Sequence, residues 1–247
     1  MRRCFIPASA VTSTAPVITG QDAAHISKVL RLKPGDNIEL FDGAGQTYTA
    51  RIQSMEPEGI KITILSQKPD NRESPARIIL AVGMLKDRKM DDLIRPLTEL
   101  GITCLSPFIA ERSVSRPDIK RMENRMRRWQ TIARESLKQC GRTCLPKIQQ
   151  PASFEQILES ADTWDIKLMF YENASNPFKQ VVKGCSHPPE PRIFAMTGPE
   201  GGFTEQEVQQ AVKAGFIITG LGARILKAET AALAVAALLQ HTFGDLG

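Results

Sequence analysis

Five short apolar runs, separated by helix-patterned segments, constrain this chain more than any other feature. They are "RIILAVGML" (77–85), "ITCLSPFIA" (102–110), "KLMFY" (167–171), "RIFAMTG" (192–198) and "FIITGLG" (216–222). Each is short for a helix and rich in residues that favour strands. Their alternation with helical patterns predicts βα units and a mainly parallel sheet covered on both faces. One intervening helix, 89–101, carries apolar residues at 90, 93, 94, 97 and 100 and stops at Gly101. Pro96 within it predicts a kink or a shortened helix.

Upstream the pattern is different. Strand-like runs at 37–41, 46–54 and 59–65 are separated by "PGD", "DGAG" and "EPEG". That spacing predicts a small antiparallel barrel. A short helix at 21–32 should place Ile26, Val29 and Leu30 on one side. The polar, Pro-flanked "SQKPDNRESP" (66–75) reads as a linker, which divides the chain into domains 1–70 and 71–247.

The bulk properties exclude several classes. The basic N-terminus lacks an apolar run long enough for a secretory signal. No apolar stretch approaches the ~20 residues of a membrane span. The expected location is therefore the cytoplasm. The five cysteines (4, 104, 140, 144 and 185) lack paired metal-ligand spacing and are read as unlinked thiols, with no metal site. His25, His187 and His241 are scattered, and no Ser-His-Asp or Cys-His arrangement is supported.

Three constellations carry chemistry. The first is "TGPEGGFTEQEV" (197–208). Gly-rich loops opening onto helices often cradle phosphates. Here Phe203 follows the last glycine, where a phosphate loop needs Lys and Ser or Thr. Glu200 would repel phosphate oxygens at close range but suits a neutral or cationic ligand. Thr204 and Glu207 form a capping box, so part of the stretch is structural. Ligand site and plain turn remain equally compatible with these residues alone.

The second is "LGARILKAETAALAVAALLQ" (221–240). Its alanine-rich helix reads as buried core. That does not explain why Arg224, Lys227 and Glu229 cluster at its mouth. The third is the helix predicted over 116–142. From 118 to 142 it holds eight basic residues (Lys120, Arg121, Arg125, Arg127, Arg128, Arg134, Lys138, Arg142) against three acidic ones (Asp118, Glu123, Glu135). That excess matches the chain's whole net charge of +5, and a phosphate backbone is its natural partner. Trp129 within it reads as core rather than as a base-stacking platform.

These motifs, in this order, resemble the RsmE family of ribosomal RNA methyltransferases, of the SPOUT superfamily. The resemblance runs from "MRRCFIP" and "HISKVLRLKPGD", through "TELGI", "ERS" and "RWQTIARESLKQCGR", to "TGPEGGFTEQE", "LGARILKAETAALAVAALLQ" and "FGDLG". It covers essentially the whole chain.

The resemblance implies a PUA-like N-terminal barrel and a C-terminal α/β domain with a deep trefoil knot. It implies a homodimer that methylates N3 of a uridine in 16S rRNA with S-adenosyl-L-methionine. Carried over by motif, the cofactor loops are 170–172, 196–202 and 220–230. They supply Phe170, Glu172, Met196, Gly198, Glu200, Gly201, Gly202, Leu221, Gly222, Ile225, Leu226 and Thr230. Arg2, Arg3, Arg31, Arg128, Arg142 and Lys227 are assigned to RNA. Arg112 and Arg224 are assigned to catalysis, with Glu229 as a base or positioning group. A helix N-terminal carboxylate with a purely electrostatic role is the other reading of Glu229.

The sequence departs from the family pattern at Pro96, Lys138, Cys140, Ala223, Lys227 and Ala228. Lys for Arg at 227 keeps the charge but loses the planar fork. Other readings are a related methyltransferase acting on another RNA, such as tRNA, and a catalytically silent RNA-binding protein.

Overall fold

The computed structural model describes residues 3–11, 15–70, 72–86, 88–114, 119–185 and 188–247. The side chains of residues 119 and 120 are also outside the description, as are Arg2 and His187. The chain divides into two compact units: residues 1–73 with 134–145, and residues 74–133 with 146–247.

The first unit is built on β1 (Arg3–Phe5), β2 (Val17–Ile18), β3 (Asn37–Phe41), β4 (Gln46–Glu56) and β5 (Gly59–Pro69). They form one sheet in the order β1-β3-β4-β5-β2. Every pairing is antiparallel except β1 with β3, which is parallel. Register shifts between Thr49 and Ala50 and between Ile52 and Ser54 interrupt the β4–β5 pairing, as bulges that bend a strand do. The sheet curls into a half-barrel. Its inner face is aliphatic: Ile6, Ile38, Leu40, Ile52, Ile60 and Ile62 are buried there.

Two short helices, α1 (Ala8–Val11) and α2 (Gly20–Ala24), belong to this unit. The α2 helix widens into a π-turn over His25–Val29, closed by Leu30 N–H donating to the His25 carbonyl (2.9 Å). The expected helical face is lost in that wider turn. Ile26 stays buried, but Val29 is exposed.

The second unit carries the predicted parallel sheet. Its strands are β6 (Arg77–Gly83), β7 (Cys104–Ile109), β8 (Lys147–Ile148), β9 (Ala152–Ser153), β10 (Ile166–Phe170), β11 (Arg192–Thr197) and β12 (Ile217–Thr219). The order is β12-β10-β11-β6-β7-β8, with β9 also on β7, and all pairings are parallel. The five runs read from the sequence are the five longer-range strands of this sheet. The two-residue strands β8 and β9 are too short to leave a periodic signal.

The helices are α3 (Lys89–Glu99), α4 (Ile119–Cys140), α5 (Phe154–Ser160), α6 (Phe178–Val181), α7 (Glu205–Lys213) and α8 (Ala228–Phe243). α3 continues through Pro96 to Glu99. Proline removes the hydrogen bond to the Asp92 carbonyl, and Asp92 sits on the exposed side of the helix. α8 buries Ala232, Val235, Ala236, Leu239 and Phe243. Its opposite face, including Leu233, Ala237 and Leu238, is only half-buried. The core helix expected over 231–239 is thus buried along one side alone.

Candidate active site

Parallel strands expose their C-terminal ends along one edge, and the loops leaving that edge are where α/β proteins build sites. Here β12, β10, β11 and β6 lie side by side. The segments that follow them enclose a cavity of about 450 Å³. After β10 come Phe170, Tyr171 and Glu172. After β11 come Thr197, Gly198, Pro199, Glu200, Gly201 and Gly202. After β12 come Leu221, Gly222, Arg224, Ile225, Leu226, Lys227, Ala228, Glu229 and Ala231, and Lys89 at the start of α3 completes the wall.

The 197–202 loop owes its path to close approach. A Cβ on Gly201 would lie 2.9 Å from the Arg112 Cβ and 3.0 Å from its carbonyl oxygen. Gly202 has φ +67°, in the left-handed region, and a Cβ there would run into the Glu172 carboxylate. Gly83, at the end of β6, stands against Pro199 in the same way. Arg112 Nη1 donates to the carbonyls of Gly201 (3.3 Å) and Phe203 (3.4 Å).

Beyond the loop, α7 begins with the expected capping box. Glu207 N–H donates to Thr204 Oγ1, and Thr204 N–H donates to Glu207 Oε2 (2.9 Å). Glu207 Oε1 also accepts from Glu111 N–H (2.9 Å). One carboxylate therefore fastens both the loop's exit and the turn that presents Arg112.

The electrostatics are those of a carboxylate-bearing cavity. Burial alone would raise the Glu200 carboxyl pKa. Its own N–H, the Lys86 N–H at 3.2 Å and the Lys89 ammonium at 3.1 Å outweigh that and hold it below the ordinary value. Glu229 Oε2 is buried without a hydrogen-bond partner and lies 3.5 Å from Lys89 Nζ. Thr197 Oγ1 is likewise buried and unpartnered. Arg224 and Lys227 are exposed, and neither side chain forms an ion pair among the described residues.

Of the residues assigned to the cofactor, Phe170, Glu172, Gly198, Glu200, Gly201, Gly202, Leu221, Gly222, Ile225 and Leu226 line the cavity. Met196 and Thr230 do not. Met196 is a β11 residue whose side chain is buried in the core of the sheet, and Thr230 is exposed on α8. Arg112, assigned to catalysis, is also absent from the lining; it braces the loop from behind, whereas Arg224 and Glu229 do line it.

The RNA assignments divide too. Arg3 is a core cation: its side chain is 1% exposed, 3.3 Å from Glu39 and stacked over the Phe41 ring at 4.6 Å. Arg142 is clamped by Glu73, with Nη2 to Oε2 at 2.7 Å and Nε to Oε2 at 3.1 Å. Arg128 pairs with Asp91 at 3.2 Å but is half-exposed. Arg31 and Lys227 are exposed. Arg2 lies outside the described residues.

Lys89 escaped the sequence reading. Its signal was a lysine opening a helix a few residues after a strand end, which resembles any solvated helix start.

A family model described as an RNA methyltransferase domain matches residues 72–240, and one described as an RNA methyltransferase PUA domain matches residues 18–65. The ribosomal RNA small subunit methyltransferase E of Bacillus subtilis is 33% identical over 221 residues, 87% of this chain and 86% of its own length. The crystal structure of that enzyme from Neisseria gonorrhoeae, bound to S-adenosyl methionine, superposes with a TM-score of 0.86 at 33% identity, over 100% of both chains. A Legionella pneumophila protein solved with bound SAM gives a TM-score of 0.88 at 30% identity over 99% of both chains.

Proposed function

The chain belongs to the family of the ribosomal RNA small subunit methyltransferase E, and from that membership we propose that its cavity holds S-adenosylmethionine for methylation of N3 of a uridine in 16S rRNA. The protein is an S-adenosylmethionine-dependent RNA methyltransferase. The observation that carries the site assignment is the convergence of three loops, far apart in sequence, on one carboxylate-bearing cavity.

The residues fit this cofactor. A volume of about 450 Å³ is within the range of pockets for ligands of its size. Phe170, Leu221, Ile225 and Leu226 offer apolar wall for a nucleoside. Glu172, Glu200 and Glu229 suit a cation, and the lysine that a phosphate loop requires is missing from the glycine stretch. Gly222, at φ +112°, has open space where a Cβ would stand, and buried Thr197 Oγ1 lacks a partner. When bound, S-adenosylmethionine supplies a methyl group on a sulfonium centre.

The protein's own part is to bind the base, orient it and manage one proton. A uridine in RNA must leave its stack to reach an enclosed site. Arg224 and Lys227, both beside the cavity and without an ion pair among the described residues, supply donors for the uracil oxygens or the flanking phosphates. Glu229 Oε2, buried and without a hydrogen-bond partner among the described residues, is the acceptor these residues offer for the N3 proton. Arg112 acts through the loop it braces. The half-exposed apolar face of α8 supports a homodimer. No helix among the described residues is long and apolar enough to cross a membrane.

The test has two arms. Calorimetry should detect S-adenosylmethionine binding, and the protein should restore a single uridine methylation to small subunits from a deletion strain, mapped by mass. Absence of binding at millimolar cofactor would favour a silent RNA-binding protein. Glu229→Gln should slow single-turnover methylation by about 10²-fold or more if the carboxylate takes the proton; an unchanged rate rejects that role.

A further inference from the structure

One cation in the cavity wall is placed unlike the others. Arg224 and Lys227 are exposed and form no ion pair among the described residues, whereas Lys89 is held between two cavity carboxylates. Its ammonium lies 3.1 Å from Glu200 Oε1 and 3.5 Å from Glu229 Oε2. Those carboxylates come from different elements. Glu200 sits at the tip of the loop after β11, and Glu229 in the first turn of α8. Lys89 itself opens α3, whose next turn is anchored by buried Met90, Asp91 and Leu93.

Both contacts draw on one group. An ammonium has three donors and a full positive charge, so it can bridge two carboxylates and offset their mutual repulsion. Without the cation, two carboxylates that share its position would repel across a partly desolvated cavity. Hydrogen bonding to Glu200, opposed by burial, and then the charges of Glu200 and Glu229, raise the Lys89 pKa above its ordinary value. The lysine therefore stays charged at neutral pH. Glu200 has a second tie of its own, the Lys86 N–H at 3.2 Å. Glu229 Oε2 lies 3.5 Å from the Lys89 ammonium and has no hydrogen-bond partner among the described residues.

We propose that Lys89 is a positioning residue of the methyl-transfer site: its ammonium fastens the tip of the 197–202 loop to the first turn of α8 and holds Glu229 in place for the reaction. This deepens the function proposed above and rests on it. Lys89 acts through Glu200 and Glu229, so it is distinct from a residue that touches substrate. The effect falls on the geometry of the loaded site more than on cofactor capture. Removing a cation also lowers repulsion toward a positively charged cofactor, which partly offsets the loss of order.

The full-length protein serves for the test. Lys89→Met should reduce the single-turnover methylation rate ~10- to 100-fold, the range expected from losing a charged hydrogen bond. The S-adenosylmethionine dissociation constant from calorimetry should change by less than the rate does. In the protein without cofactor, amide hydrogen exchange at Glu200–Gly202 should accelerate in Lys89→Met. Lys89→Arg should recover most of both properties. The cycle Lys89→Met, Glu200→Gln and the double variant should be non-additive, the double being little worse than Lys89→Met alone.

A Lys89→Met enzyme with wild-type rate and wild-type loop exchange would overturn the proposal. So would fully additive effects, which would mean that Lys89 contacts substrate directly. A fall in thermal midpoint that accounts for the lost activity, with no local change in exchange, would reduce Lys89 to a structural role and overturn it as well. Failure of the wild-type protein to bind cofactor or methylate rRNA would instead sink the functional reading, and the role of Lys89 with it.

Discussion

Lysines and arginines that look alike in the sequence separate into two populations once their neighbours are known. Arg3 and Arg142 are inside, each held by a carboxylate, and Lys138 bridges Asp22 (2.5 Å) and Glu135 (2.7 Å). Arg134 lies 4.5 Å over the Phe5 ring. These charges are engaged with the fold, so they add little to phosphate binding. Arg224 and Lys227 are exposed and form no ion pair among the described residues. Replacing either with Ala should therefore lower the salt dependence of RNA binding by roughly one unit of log K against log salt. Lys138→Ala should leave that slope unchanged and reduce stability instead. Equal slopes for all three variants, from binding titrations across a salt series, would contradict this division. The basic bias of residues 118–142 was legible; which of those charges are free was not, because pairing depends on side chains distant in the chain, such as Glu73 for Arg142 and Asp22 for Lys138.

Helices and loops were legible where a local rule determined them. The Thr204–Glu207 capping box needs only residues three apart, and it formed as read. Pro96 misled because the cost of a proline depends on which carbonyl loses its partner, and here that carbonyl belongs to an exposed residue. Trp129 is core, fully buried, with Nε1 donating to Asp91 at 2.6 Å. Asp91 also pairs with Arg128, so a single carboxylate joins α3 to α4. Asp91→Ala should destabilise the protein by about 1–3 kcal/mol, because the indole N–H is left buried and unsatisfied. Urea unfolding would measure it, and a loss below a few tenths of a kcal/mol would show that the indole finds another acceptor.

For the molecule as a whole, the chain divides within its linker, between residues 73 and 74, but the linker does not show that a later segment returns to the first unit. Residues 134–145 are counted with the N-terminal unit. There Glu73 accepts from the N–H groups of Thr143 and Cys144 (3.1 and 3.0 Å) as well as from Arg142. Arg3 donates to the Leu137 carbonyl at 3.4 Å. A fragment of residues 1–73 therefore lacks part of its own packing. It should unfold with lower cooperativity and a lower midpoint than a version carrying 134–145 in trans or by fusion. Identical midpoints, measured by circular dichroism, would show that the returning segment contributes nothing.

The sequence by itself determined the parallel sheet, the antiparallel N-terminal strands, the capped loop and most of the residues that line the cavity. Those features follow from period, turn residues and glycines, all of which act over a few neighbouring positions. Tertiary structure decided the rest. It made Arg3 and Arg142 structural, turned Met196 into the core and Thr230 out of the cavity, and set Arg112 behind the loop. It also brought Lys89 to Glu200 and Glu229, which lie 111 and 140 positions further along the chain. Distance in the sequence conceals such meetings, since only the strand order β12-β10-β11-β6 places the ends of these segments side by side.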